Sequence, residues 1–186
     1  MEVKTRGMVE FTQAAGGNYR WITVTTLLLA IGVILRVVTP SVGGITPNWM
    51  IAMYCLAILL TRPTLARAAA IGLVAGALII PFSKSALPYC NLLSEPLGAV
   101  VCALITRSTL SMKVGGYTLR PAVATFFSTL VSGFTFITIT KLVLSLPLAV
   151  YLYVMMPVVF TVAAVNTVLA QLIYFPAQKL FNSRGQ

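Results

Sequence analysis

Residues 21–38 read WITVTTLLLAIGVILRVV, a run whose one charge, Arg36, falls near its end, flanked by Arg20 and by the Thr39-Pro40 pair. At ~1.5 Å per residue a helix of this length crosses most of a ~30 Å hydrocarbon layer, so the stretch is read as a transmembrane helix. Five further apolar segments follow at about 48–61, 64–80, 91–106, 121–145 and 150–175. Turn residues punctuate them, including Arg62-Pro63 after the second and Pro81 after the third. The second, NWMIAMYCLAILLT, is short for a span, which predicts a tilt or a start below the membrane surface. Alternating ten-residue strands of the outer-membrane type are not seen. The expected fold is therefore all-α, a polytopic membrane bundle of six transmembrane helices over 21–176, with a polar segment at 1–20 and a tail at 177–186.

Composition agrees. Of 186 residues, 59% are hydrophobic and only 9% charged, and the mean hydropathy is +0.96. Soluble domains carry about a quarter charged residues. The first nineteen residues are polar and no small-residue cleavage site precedes the first apolar run, so no cleavable signal peptide is expected. Cys55, Cys90 and Cys102 lack CxxC spacing and read as packing residues, Cys90 in a loop.

The basic residues orient the bundle. Lys4, Arg6, Arg20, Arg62, Arg67, Arg107, Lys113, Arg120, Lys179 and Arg184 fall at one set of helix ends. Arg36, Lys84 and Lys141 stand singly at the other. The positive-inside rule then makes both termini cytoplasmic. The net charge of +10 is explained by topology and needs no nucleic-acid partner, since no basic stripe with exposed aromatics is present. The outer connections, TPSVGGITPN (39–48) and PFSKSALPYCN (81–91), are rich in Pro, Gly, Ser and Asn. Their backbone cannot face lipid, so they sit in the interface or fold over a cavity as a lid.

Absences exclude several functions. There is no His, and of three acids two precede the first span. A His and carboxylate metal site, a Ser–His–Asp set, and the acid cluster of a metal-dependent lipid enzyme are all impossible or unsupported, and no cofactor is implied. No GxxxxGK[ST] occurs, so the chain binds no nucleotide through a P-loop. The chain reads as a non-enzyme.

What remains is a small set of polar residues. Glu95, in NLLSEPLGAV (91–100), is the one acid inside the apolar region. Buried carboxylates are costly unless paired. It is either a structural partner for Lys84 or Arg36, aided by a helix N-terminus, or a ligand contact such as an acceptor for an ammonium group. Arg36, Lys84 and Lys141 sit on the side where positive charge is depleted. They either snorkel to head groups or face an anionic group in a pocket. Asn48, Asn91 and Asn166 are amides at or within spans, able to bridge helices or fix a ligand. Trp49 and Tyr89 are candidate aromatic walls. Small residues mark close helix contacts: Gly72-xxx-Gly76 in the third span, and Thr26-xxx-Ala30 with Gly32 in the first.

These strings carry a resemblance. LLLAIGVILR (27–36), GGITPNWMIAM (43–53), IGLVAGAL (71–78) and NLLSEPLGAV (91–100), within six spans and under two hundred residues, resemble the substrate-binding S components of energy-coupling-factor (ECF) transporters, and among them the TrpP-like tryptophan-transport subgroup. The likeness covers roughly residues 22–106. It implies a vitamin or other small nutrient bound in the outer half of the bundle, a membrane scaffold protein against which the S component topples, and two cytoplasmic ATPases. It also implies docking through an AxxxA motif in the first span, for which the nearest match is Thr26-xxx-Ala30-xxx-Ile34, with Gly32 between. Arg36 or Lys84 with Glu95 would then hold a zwitterionic amino acid, and Trp49 or Tyr89 would stack an indole. A structural subunit without ligand and a small facilitator or channel are the rival readings.

Overall fold

The computed structural model describes the backbone of residues 3–40, 47–109, 112–114 and 117–183, with side chains from Tyr19 to Phe181 in those ranges, Val114 excepted. Six helical rods make up the bundle. They are α1 (Val3–Val38), α2 (Trp49–Thr61), α3 (Leu65–Ile79), α4 (Asn91–Arg107), α5 (Arg120–Val143) and α6. The last runs without a break through Leu148–Val150, a π-helical turn at Tyr151–Met155, and Met156–Ser183. Five of the six are long and apolar enough to cross a membrane, and α2 is the exception.

The place of α2 follows from its sequence. WMIAMYCLAILLT is apolar on every face, and a helix of that kind is stable only when surrounded. Every residue from Met50 to Leu59 is buried, and α2 touches all five other helices. The others close around it in the order α1, α3, α4, α5, α6, each packed on the next where the sequence of contacts runs from α1 to α6. The expected short second span is thus the axis of the bundle. Its 13 residues make a rod only ~20 Å long, shorter than the helices around it.

Both ends of α2 are fixed by local chemistry. At its start the Trp49 indole N–H donates to Thr39 Oγ1 at 2.9 Å, tying it to the end of α1. At its finish Arg62 takes the left-handed conformation (φ 46°), its N–H bonds Ile58 O at 2.8 Å, and Pro63 ends the helix. The end of the bundle around Arg62 is the basic end. There, arginines satisfy carbonyls at helix ends and in the connection between α2 and α3. Arg107 donates to Pro63 O at 2.6 Å and Arg120 to Thr106 O at 3.0 Å. Arg20 bonds Phe181 O and lies over the Phe181 ring, joining α1 to α6. The connection after α4 holds a small antiparallel hairpin, Lys113–Val114 with Tyr117–Thr118, pinned to α6 by Gln171.

The small-residue spacing in α3 serves the bundle's interior. A Cβ at Gly72 would lie 2.6 Å from Pro96 Cα, and one at Gly76 would strike the Asn91 carbonyl. These glycines let α3 lie against the α4 backbone over the turn that carries Asn91 and Glu95. Gly72→Val is therefore expected to destabilise the fold by about 1–3 kcal/mol, or roughly 2–12 °C in Tm for a chain of this size. The exposed neighbour change Val74→Leu should be silent. Thermal unfolding of the two purified variants in one detergent is the check.

Candidate functional site

Because α2 is short, the bundle as formed by the described residues is hollow at the end away from Arg62. A cavity of about 380 Å³ lies there, and Asn48 and Ile51 of the α2 entrance form part of its wall. That volume is at the lower end of the ~300–1,000 Å³ range of small-molecule sites. α1 contributes Arg36, α3 Ile79, and α4 Asn91 and Glu95. The connection after α3 adds Ser83, Lys84 and Ser85. α5 adds Thr129, Ser132, Gly133, Phe136 and Ile137, and α6 adds Val158, Val159 and Val162.

The polar groups gather on one side. Glu95 is 1% exposed, on the second turn of α4. Asn48 Nδ2 donates to Glu95 Oε1 at 3.3 Å, and the hydroxyls of Tyr54 and Ser132 flank the same carboxylate. Its other oxygen, Oε2, is buried and has no hydrogen-bond partner among the described residues. Arg36, half-buried, is near enough for electrostatic attraction to Glu95, yet no direct ion pair links them among the described residues. A cation and an anion thus line the same cavity without forming a direct ion pair among the described residues. Gly133, Phe136 and Ile137 of α5 and Val158, Val159 and Val162 of α6 supply much of the apolar lining, beside the hydroxyls of Thr129 and Ser132.

Beneath the carboxylate runs a buried hydroxyl stripe on α5: Thr125, Ser128, Thr129 and Ser132, on one face by their spacing. Ser128 Oγ donates to Gly98 O at 2.9 Å and meets the Tyr54 hydroxyl at 3.2 Å. Gly98 is required here, since a Cβ would lie 2.6 Å from the Tyr54 hydroxyl and 2.9 Å from Ser128 O. Thr129 Oγ1 donates to Thr125 O at 2.8 Å and accepts from Asn166 Nδ2 at 3.3 Å, so Asn166 bridges α6 to α5.

Of the residues singled out from the sequence, Arg36, Asn48, Lys84, Asn91 and Glu95 come together around this cavity. Three do not line it. Trp49 is held by Thr39, Tyr89 is 69% exposed on a 3₁₀ turn (Pro88–Cys90), and Lys141 sits in the last turn of α5, where its carbonyl accepts from Leu146 N at 3.0 Å. The aromatic side chain in the wall is Phe136 instead. Thr26 and Ala30 are exposed on the outer face of α1, whereas Gly32 is buried against α2, where a Cβ would lie 2.9 Å from Met50 Sδ. The lid expected over 39–48 falls largely on residues 41–46, outside the described residues, while Ser83, Lys84 and Ser85 bring the 81–91 connection over the cavity. The α5 and α6 walls were missed. The available signal was the spacing of Thr125, Ser128, Thr129 and Ser132.

Over residues 18–182 the chain matches the family described as "Tryptophan transporter TrpP". It is 30% identical over 173 residues to a "Probable tryptophan transport protein" of Clostridium perfringens (strain 13 / Type A), with 87% of this chain and 93% of that protein covered. A protein of the same description from Bacillus subtilis (strain 168) is 30% identical over 158 residues, covering 82% and 87%. No solved structure matches.

The cavity predicts a pattern of thiol reactivity. In a Cys90→Ser background, with Cys55 and Cys102 fully buried and inert, Ser132→Cys should be labelled by a small charged thiol reagent. Ala163→Cys, equally deep but walled in, should resist it. Mass spectrometry of the intact protein reads both.

Proposed function

Because this chain belongs to the TrpP family of tryptophan transporters, we propose that it takes up tryptophan, binding it as a zwitterion in the cavity between Arg36 and Glu95. The family is one of transporters, not enzymes, and the chain is a multi-pass membrane protein. The observation that carries the substrate reading is the buried Glu95 carboxylate, one oxygen of which has no hydrogen-bond partner at normal geometry among the described residues, lining the same cavity as Arg36. A free α-amino acid brings an ammonium for the first and a carboxylate for the second, and charge-assisted bonds of this kind are the strong ones. Asn48, with its own Oδ1 unpartnered, offers a further acceptor to the ammonium. The indole lies against Phe136, Ile137 and the valines of α6. A flat anionic vitamin would suit Arg36 and Lys84 but would be repelled by Glu95, which favours the amino acid.

The positive-inside rule puts the arginine-capped end in the cytoplasm and the cavity toward the exterior. Uptake is then driven, in this reading, by a separate ECF scaffold protein and two ATPase subunits. The exposed face of α1 with Thr26 and Ala30 supports docking of the scaffold there, and Gly32, turned toward α2, takes no part in it. A ligand-free structural subunit would have no use for a hollow lined by an unpartnered carboxylate.

Glu95→Gln and Arg36→Ala are each expected to weaken tryptophan binding by about ten- to a hundredfold, the loss of one charge-assisted hydrogen bond. Lys84→Ala, exposed at the rim, should cost far less. Titration of the purified variants with tryptophan tests this, and unchanged affinity in both of the first two would remove the proposed site. Uptake into cells should also vanish when the genes for the scaffold and ATPases are deleted; uptake that persists would leave the chain as a carrier on its own.

A further inference from the structure

We infer that Tyr54 is a positioning residue of the site: its buried hydroxyl holds the Glu95 carboxylate back from Arg36 and so keeps it open to the amine of a ligand. The inference rests on the amino-acid reading above and deepens it, because Tyr54 belongs to the core of α2 and not to the cavity lining.

The hydroxyl hydrogens can be assigned by donor logic. Ser128 Oγ lies 2.9 Å from Gly98 O and 3.2 Å from the Tyr54 hydroxyl. A main-chain carbonyl only accepts, so the Ser128 hydrogen goes to Gly98 O. Ser128 then has only lone pairs to offer Tyr54, and the hydrogen between the two hydroxyls belongs to Tyr54. Gly98 stands one helical turn after Glu95 on α4, and a Cβ there would lie 2.6 Å from the Tyr54 hydroxyl and 3.0 Å from Ser132 Cβ. The Tyr54 oxygen is thus set against the turn of α4 that carries Glu95, and it flanks the carboxylate. Its single hydrogen has Ser128 Oγ on one side and Glu95 on the other. The carboxylate is the stronger acceptor. Rotation about the phenolic C–O bond passes the hydrogen between them without moving the ring.

The ring is fixed and the carboxylate is not. Tyr54 is 0% exposed, in a core cluster with Ile51 and Ala99. A Glu side chain has several rotatable bonds, and the cavity gives Glu95 room to turn toward Arg36. That turn would close the two charges on each other and leave neither for an amino acid. Asn48, Ser132 and Tyr54 are the groups that flank Glu95. Asn48 and Ser132 line the cavity and are placed to touch a ligand themselves. Tyr54 is not, so what it does for a ligand passes through Glu95. A donor anchored on the core side of the carboxylate opposes the swing to Arg36.

The test uses the purified full chain and titration calorimetry with tryptophan and with indolepropionate, which is tryptophan without its amino group. Tyr54→Phe keeps the ring and removes the donor. It should weaken tryptophan about ten- to a hundredfold, the effect of a lost hydrogen bond to a charged group, and weaken indolepropionate far less. In a Glu95→Gln background, where the carboxylate is already gone, Tyr54→Phe should cost tryptophan less than about twofold more. A ring-fluorinated tyrosine at position 54, a stronger donor of nearly the same size, is the second variant should phenylalanine fail to fold. It should change tryptophan affinity more than indolepropionate affinity. Equal changes for the two ligands overturn the inference, since a loosened core would lower both. Losses that multiply in the double variant overturn it as well. So does wild-type affinity for tryptophan in Tyr54→Phe while Glu95→Gln loses it, a result that leaves the amino-acid reading standing. Glu95→Gln protein that binds tryptophan like the wild type removes that reading and this one with it.

Discussion

The constraint from which the rest follows is the length of α2. A helix that is apolar on all faces must be enclosed, and five longer helices enclose it. Being ~20 Å long inside a ~30 Å layer, it cannot fill the bundle from end to end. At the basic end the gap is closed by Pro63 and by arginine guanidiniums bonded to the carbonyls of Pro63 and Thr106. At the other end the described residues leave a cavity, and the start of α2 contributes Asn48 to its wall. A solid core and a hollow mouth are two consequences of one short segment.

The same asymmetry sorts the charges. Arg20 and Arg120 each bond a carbonyl in the last turn of a helix and Arg107 bonds the Pro63 carbonyl between α2 and α3, so their positive charge is met by carbonyl oxygens and, for Arg20, by the aromatic ring of Phe181. Arg36 and Glu95 have no comparable duty. They face the same space without closing on each other, and among the described residues Glu95 keeps an oxygen unpaired. A direct pair would satisfy both charges and fill the gap between them. Their separation leaves each available to a third party that carries both signs.

Much of this was readable beforehand because the informative residues are rare for their surroundings. One acid in an apolar chain, and single cations on the side where cations are depleted, identify Glu95, Arg36 and Lys84 without any coordinates. The enclosure of α2 was legible less directly, as a segment too short and too uniformly apolar for an ordinary span. The α5 wall was harder to see, because Ser and Thr within a helix can bond the carbonyl four residues back, as Thr129 and Thr140 do. A hydroxyl in a span therefore carries no necessary message, and only the common face of Thr125, Ser128, Thr129 and Ser132 distinguishes them. Trp49 and Tyr89 misled for a local reason. A bond to Thr39 and a 3₁₀ turn set their directions, and neither is encoded in their residue type.

The glycines of the bundle show what maintaining such a chamber requires. Gly72 and Gly76 bring α3 against the backbone of α4, and Gly98 lets α4 meet Tyr54 and the α5 backbone. Each contact holds the turn bearing Asn91 and Glu95 in place on a different side. Close packing immediately around the cavity is what keeps it from collapsing, since an unsupported void in a helical bundle is readily lost to repacking. Glu95 Oε2, buried without a partner among the described residues, opposes stability in the empty state. A ligand that satisfies it stabilises the bound form by the same interaction. Under the proposed function, the unfilled polar groups and the rigid frame around them act as complementary parts of one binding device: the frame preserves the positions, and the unpaired atoms supply the affinity.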